Sequence, residues 1–343
     1  MNFRCCKYML FFCAFVGTVC LAASAEGARG AKTTKIDATK PTKTQADLRT
    51  IVFPPKSIGT LKLVERRGLS RNSWYSYGEI KLAGSAEGVV KVTVPPGYAL
   101  ELEPNRRVCD NPALLRQISG NGIDILRLSF FGIEEGEENS CNRTLSYVNG
   151  MTGLRALDLD RSDVTDEGLS QLKNLPHLNS ISCFFTSVRG SCFKSLASLP
   201  ELKALYLRNC KIEPKYLIDL SKLPKLSTLN LDNSRLSQAG AKELSKCSGL
   251  VELSLHGNPH FEDSCMNCLA SLKKLEHLDV KDTAVTFEGI RALHGIKLKT
   301  LMVSQDVLPK QKELQSMFPG VKIHSRESGK IGADEKVIFA PLR

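Results

Sequence analysis

The sequence predicts an α/β solenoid, a stack of short units bent into a right-handed horseshoe behind a small β-rich module. Two observations carry that prediction. A leucine phrase, Leu154-x-x-Leu157-x-Leu159, opens a unit and recurs from Leu178, Leu202, Leu226, Leu250, Leu275 and Leu298. The openings lie 24 residues apart, with 25 and 23 at the last two intervals. A fixed period of that size marks units that cannot bury their apolar face without neighbours. Inside each unit, alternation with a period of two gives way to helical spacing, so strand is followed by helix.

The chain opens, over residues 1–25, with what reads as an export signal. Arg4 and Lys7 precede a mostly apolar run from Tyr8 to Ala22, and Ala23-Ser24-Ala25 offers small residues for cleavage before Glu26. The run falls short of the roughly 20 apolar residues that span a bilayer. A membrane would therefore be engaged only through this segment, were it kept, and the expected location is secreted, periplasmic or cell-surface. Residues 26–50 are small, polar and basic, the composition of a disordered linker. The linker holds part of the chain's net charge of +11. Dispersed lysines of this kind solubilise; export and the lack of a binding motif argue against a nucleic-acid partner.

Over 51–104 the pattern becomes short β runs, Thr60–Val64, Glu79–Leu82, Val89–Val94 and Ala99–Leu102, divided by Pro54-Pro55, Gly84 and Pro95-Pro96-Gly97. This module would cover the first repeat, whose end would otherwise present bare leucines and an unpaired strand edge. The repeat array occupies 105–324. Its first clear unit, Ile123-x-x-Leu126-x-Leu128, is longer than the rest, and the excess holds Glu134, Glu135, Glu137, Glu138 and Cys141. These glutamates lack the spacing of a calcium loop and read as a solvated loop. A closing helix is expected over Lys310–Phe318 and a last strand at Val321-Lys322-Ile323, leaving 325–343 as a tail.

Counting each unit from its opening leucine as zero, offsets 3 and 5 are apolar and belong to one strand. Offset 8 holds Ser162, Thr186, Cys210, Ser234, Asn258 and Thr283, small side chains able to bond buried turn backbone. Offset 10 is apolar, and an extra residue in one unit moves Phe261 into that role. Thr165, Ser237 and Thr286 stand where a helix cap is wanted, and Pro214 where a first turn tolerates proline. Leu169-Leu172-Leu175 and its counterparts continue at helical spacing until Pro176, Pro200 and Pro224. Strands stack about 4.8 Å apart and helices need about 8–10 Å, so the stack bends towards its sheet.

The full phrase, LxxLxLxx(N/T/S/C)x(V/I/L)T(D)xG(L)xxLxxLPxL, resembles the leucine-rich repeat family, in particular a 24-residue bacterial type found in exported planctomycete-like proteins. The likeness runs from Ile123 to Ile323, and "GVVKVTVPPGYALELEP" is similar to the β leader of such proteins. The resemblance implies a non-enzymatic recognition scaffold that needs no cofactor; the pattern sets no oligomeric state.

Offsets 2, 4, 6 and 7 would face the concave wall. There Phe130, Phe184, Phe185 and Tyr206 gather with Arg208, followed by Asp232 and His256. Aromatics beside arginine are the composition of interface hot spots, and the expected partner is a protein or a cell-envelope glycan. Two alternatives stay open. The leader or the 134–150 insertion could fold over the aromatics, or Arg208 could merely pair with Asp232. The rival function is a metal- or thiol-dependent enzyme using His277 and Asp279, or the Cys265-Met266-Asn267-Cys268 motif. By register, however, Cys265 and Cys268 replace helix leucines, Cys247 does the same, and Cys183 replaces a strand leucine, so these thiols read as small core hydrophobes. Cys109 and Cys141 fall outside the register and are a candidate disulfide at the amino-terminal end.

Overall fold

The computed structural model describes residues 46–65, 80–118, 120–132 and 136–325. The export signal, most of the linker, Trp74, Glu134, Glu135 and nearly all of the tail lie outside them. The cap contributes β1 (Asp47–Val52), β2 (Gly59–Glu65), β3 (Ile80–Ser85), β4 (Val89–Val94) and β5 (Tyr98–Pro104). β1 pairs antiparallel with β4 as a separate two-stranded ribbon. It begins at Asp47, inside the stretch read as linker. Composition hid it, because Asp47 and Arg49 look like tail residues. Arg49 in fact reaches Asp124 at 2.8 Å and the Gly122 carbonyl at 3.1 Å, which ties the ribbon to the first repeat.

Each repeat supplies a three-residue strand: β6 (Ile125–Arg127), β7 (Ala156–Asp158), β8 (Ser180–Ser182), β9 (Ala204–Tyr206), β10 (Thr228–Asn230), β11 (Glu252–Ser254), β12 (His277–Asp279) and β13 (Thr300–Met302), with β14 (Lys322–His324) closing the stack. All pair parallel with their sequence neighbours, and the cap strands β5, β2 and β3 extend the same sheet to twelve strands. Cap and array therefore share one sheet, joined where Leu102 of β5 faces Leu126 of β6. This parallel sheet, with a helical turn after nearly every strand, is an α/β solenoid.

Packing follows the repeat register. Offsets 0, 3, 5 and 10 are buried in unit after unit, as in Leu226, Leu229, Leu231 and Leu236, and Phe261 takes the offset-10 role in its longer unit. Each such leucine contributes about 1.5–3 kcal/mol by leaving water. The helices are shorter than the leucine spacing suggests. One ends at Leu169, after which Gln171 and Leu172 donate to the carbonyls of Gly168 and Leu169 in 3-10 fashion. Those turns keep near-helical spacing, so Leu172 and Leu175 still reach the core. Thr165 and Thr286 accept from Glu167 N and Glu288 N as caps, whereas Ser237 makes no side-chain cap bond. The carboxyl end holds a 3-10 turn over Gln305–Lys310 and a helix over Gln311–Met317.

The offset-8 column is a polar ladder under the turns. Ser162 Oγ donates to Leu159 O at 2.7 Å, Thr186 Oγ1 to Cys183 O at 2.9 Å and Thr283 Oγ1 to Val280 O at 2.6 Å. Cys210 Sγ and Ser234 Oγ reach back one unit, to Cys183 O and Leu207 O. Backbone that a solenoid must bury is thereby paired.

Candidate functional site

The turn after each strand is where the units differ. At offset 7 the N–H donates to the offset-6 carbonyl of the next unit: Phe130 to Asp160, Arg161 to Phe184, Phe185 to Arg208, Asn209 to Asp232, Asn233 to His256 and Gly257 to Lys281, all between 2.7 and 3.1 Å. This second ladder holds offset 7 in the left-handed region. Asn209, Asn233, Gly257 and Asp282 sit there at φ 59°, 52°, 70° and 50°, and these residue types tolerate it. Phe130, Arg161 and Phe185 sit there too, at φ 64°, 57° and 55°. Bulky side chains are true outliers in that region, at a cost of about 1–2 kcal/mol each.

Arg161 and Phe185 meet the half-buried Phe184, and Arg161 links it to Phe130. The Arg161 guanidinium lies over the Phe130 ring at 5.8 Å and over the Phe184 ring at 5.4 Å. Arg208 lies over Phe184 from the following unit at 5.3 Å. Phe185 tilts against Phe184 with ring centroids 6.2 Å apart. Phe130 is 42% and Phe185 64% exposed. Of the residues inserted after β6, Ser140–Val148 form a helix packed against the helical turns Pro112–Gln117 and Asp166–Leu169, on the helix side of the sheet. That helix leaves the two outer rings open.

The remaining sequence candidates stand on β9 and on the turns after β10 and β11. Tyr206 is half-buried on β9, level with Ser182 and Asn230. Asp232 is buried, contrary to its expected place on a binding wall. Its Oδ1 accepts from Ser254 Oγ at 2.6 Å and His256 N at 3.0 Å, and its Oδ2 from Asn230 Nδ2 at 2.9 Å. Asp160 does the same three strands earlier, accepting from Ser182 Oγ at 2.5 Å and Phe184 N at 2.8 Å. These aspartates staple adjacent units. His256 Nδ1 stands 3.4 Å from Asp282 Oδ2. Arg161 escaped the sequence reading, although listing offset 7 across the units would have set it beside Phe130 and Phe185.

The rival chemistry finds other surroundings. His277 Nδ1 bonds the Thr300 hydroxyl, and Asp279 pairs with Lys281 at 3.7 Å. Burial, foremost, holds the Asp279 carboxyl above its ordinary range. Among the described residues, no group of three or more His, Cys, Asp or Glu could hold a metal ion. Cys265 is buried and Cys268 half-buried.

Cys109 and Cys141 are free thiols, so the expected staple is not formed. Each is packed into the core cluster as a small apolar side chain. Burial pushes Cys109 up to about 11, and Cys141 and Cys247 each up to about 12. Thiols so protonated are poor nucleophiles. Alkylation of the native protein at pH 8 is expected to label Cys268 first and the other seven cysteines of the described residues only on unfolding. Peptide mapping of the labelled sites checks this, and fast native labelling of Cys141 would contradict it.

With this geometry in place, a sequence model of the family described as Leucine Rich repeat matches residues 151–173. The unit it covers shares its register with those on either side, and the array is built of leucine-rich repeats. No curated protein matches the sequence. Among solved structures, internalin C2 of Listeria monocytogenes is 22% identical over 63% of this chain and 84% of its own, with a TM-score of 0.42. Internalin F of the same organism is 17% identical over 64% of each chain, with a TM-score of 0.44. The chain thus spans less than two thirds of internalin F. No helix among the described residues is long and apolar enough to cross a membrane.

Proposed function

We propose that the protein is an exported, non-enzymatic scaffold that binds another protein at Phe130, Phe184, Phe185 and Arg208, on the concave side of the array. One observation carries this reading: Phe130, Arg161 and Phe185 occupy left-handed positions that other units fill with Asn, Gly or Asp. Backbone strain retained at exposed aromatics has no return in folding, and such strain gathers at binding sites. Affinity comes from desolvating the rings beside the guanidiniums.

Replacing Phe130 and Phe185 together by Asn relieves the strain and removes the rings. The double variant is expected to melt no lower than the parent, because loss of the ring contacts, about 0.5–1 kcal/mol each, is offset by a residue suited to the left-handed turn. It is also expected to lose partner capture by the immobilised protein. Capture of the same partners by parent and variant would sink the proposal; partners held only by a glycan would change the class of ligand.

A further inference from the structure

Arg208 is a cation whose nearest sequence-predicted partner has gone elsewhere. Asp232 is bound by Ser254, His256 N and Asn230, and among the described residues no carboxylate pairs with Arg208. The guanidinium lies instead over Phe184, at 5.3 Å. A guanidinium resting on a ring keeps its N–H fork pointing outward in its own plane, and that fork matches a carboxylate with two parallel hydrogen bonds.

The aromatic faces point the same way. A sugar stacks on an open ring face, but Phe184 carries a guanidinium from each neighbouring unit, and Phe130 carries Arg161. The more open ring is Phe185, 64% exposed against 42% for Phe130, directly beside the Arg208–Phe184 pair. The patch therefore offers one cationic fork next to one apolar ring.

We infer that it takes an acidic peptide segment of a protein partner, with a Glu or Asp carboxylate forked by Arg208 and the adjoining aliphatic side chain seated on Phe185. This rests on the recognition reading above and narrows it. Electrostatic complementarity favours such a segment, since the chain's net charge is +11.

The test uses the purified full-length protein and a fluorescein-labelled Glu-Leu-Glu-Leu-Glu-Leu peptide, followed by anisotropy at low and high salt. Its Gln-for-Glu and Ser-for-Leu versions are run alongside, with polygalacturonate as a polymer carrying carboxylates on sugars. The Glu-Leu peptide is expected to bind and to weaken about tenfold or more in Arg208→Gln, the size of a lost charged hydrogen-bond pair. Arg208→Lys is expected to recover only part, because an ammonium cannot fork. Both substituted peptides should bind more weakly than the parent. Arg208 is exposed, so melting curves should show both variants folded. Equal binding by parent and Arg208→Gln, equal binding of the Gln peptide, or no binding of the Glu-Leu peptide overturns the inference. If polygalacturonate alone binds, and Phe130→Asn/Phe185→Asn abolishes it, the acidic-peptide assignment falls while the patch stands as a recognition site. If that double variant changes the binding of no probe, the recognition reading falls with it.

Discussion

Replacing Asn258 by alanine is expected to lower the melting temperature by roughly 6–7 °C, corresponding to about 4 kcal/mol for a protein of this size. Asn258 is wholly buried, and its side chain makes five bonds in the turn column, four of them at 3.1 Å or less. Its Oδ1 accepts from Ser234 N at 3.1 Å and Leu236 N at 2.8 Å, in the preceding unit. Its Nδ2 donates to Leu231 O at 2.9 Å and Leu255 O at 2.7 Å. Alanine leaves these backbone groups dry and unpaired, and each such orphan costs about 1–3 kcal/mol. Serine should cost less, because Ser162 and Ser234 serve the equivalent offset with a single hydroxyl. Calorimetric melts of the two variants check the order. A loss under about 1 kcal/mol for alanine would mean that the ladder, despite its geometry, carries little of the cohesion between units.

The offset-8 ladder was legible in the sequence because a buried turn needs a small polar atom, and the period showed where to look. Strand positions, core leucines and the displaced Phe261 were legible for the same reason. Side-chain direction at the turn was not. Alternation assigns offset 6 to the concave wall, yet Asp160 and Asp232 bend under the next strand and vanish from the surface. Only the bonds they accept from Ser182 and Ser254 reveal that, and those depend on the neighbouring unit. Phe130 and Phe185 were found as aromatics, but the strain that makes them informative belongs to the backbone. Arg161 was missed because offset 7 was read together with the strand rather than as its own column. The ribbon strand β1 was missed because its partner, β4, lies some forty residues on, beyond the reach of local pattern.

The junction between cap and array should be the second point of large effect. Arg127 on β6 forks to Glu101 on β5, Nε to Oε1 and Nη2 to Oε2 both at 3.0 Å, and its Nη1 reaches Asp158 on β7 at 2.8 Å. Glu101 is 1% exposed. Arg127→Met keeps the length of the side chain but leaves two carboxylates in dry surroundings with no cation between them. Breaking a buried pair in this way costs about 3–5 kcal/mol, far more than the net worth of the intact pair. The double variant Glu101→Gln/Arg127→Met removes one of the two charges and should recover a good part of the loss. That recovery separates charge from packing: if Met were simply a poor fit, the second substitution would add to the damage. Because β5 is also the strand through which β2 and β3 join the sheet, the loss should open the cap first. Hydrogen exchange in Arg127→Met should then rise in β2 and β5 before β10 and β11. Uniform exchange along the whole stack would instead make the solenoid one cooperative unit, with Arg127 no more than a local strut.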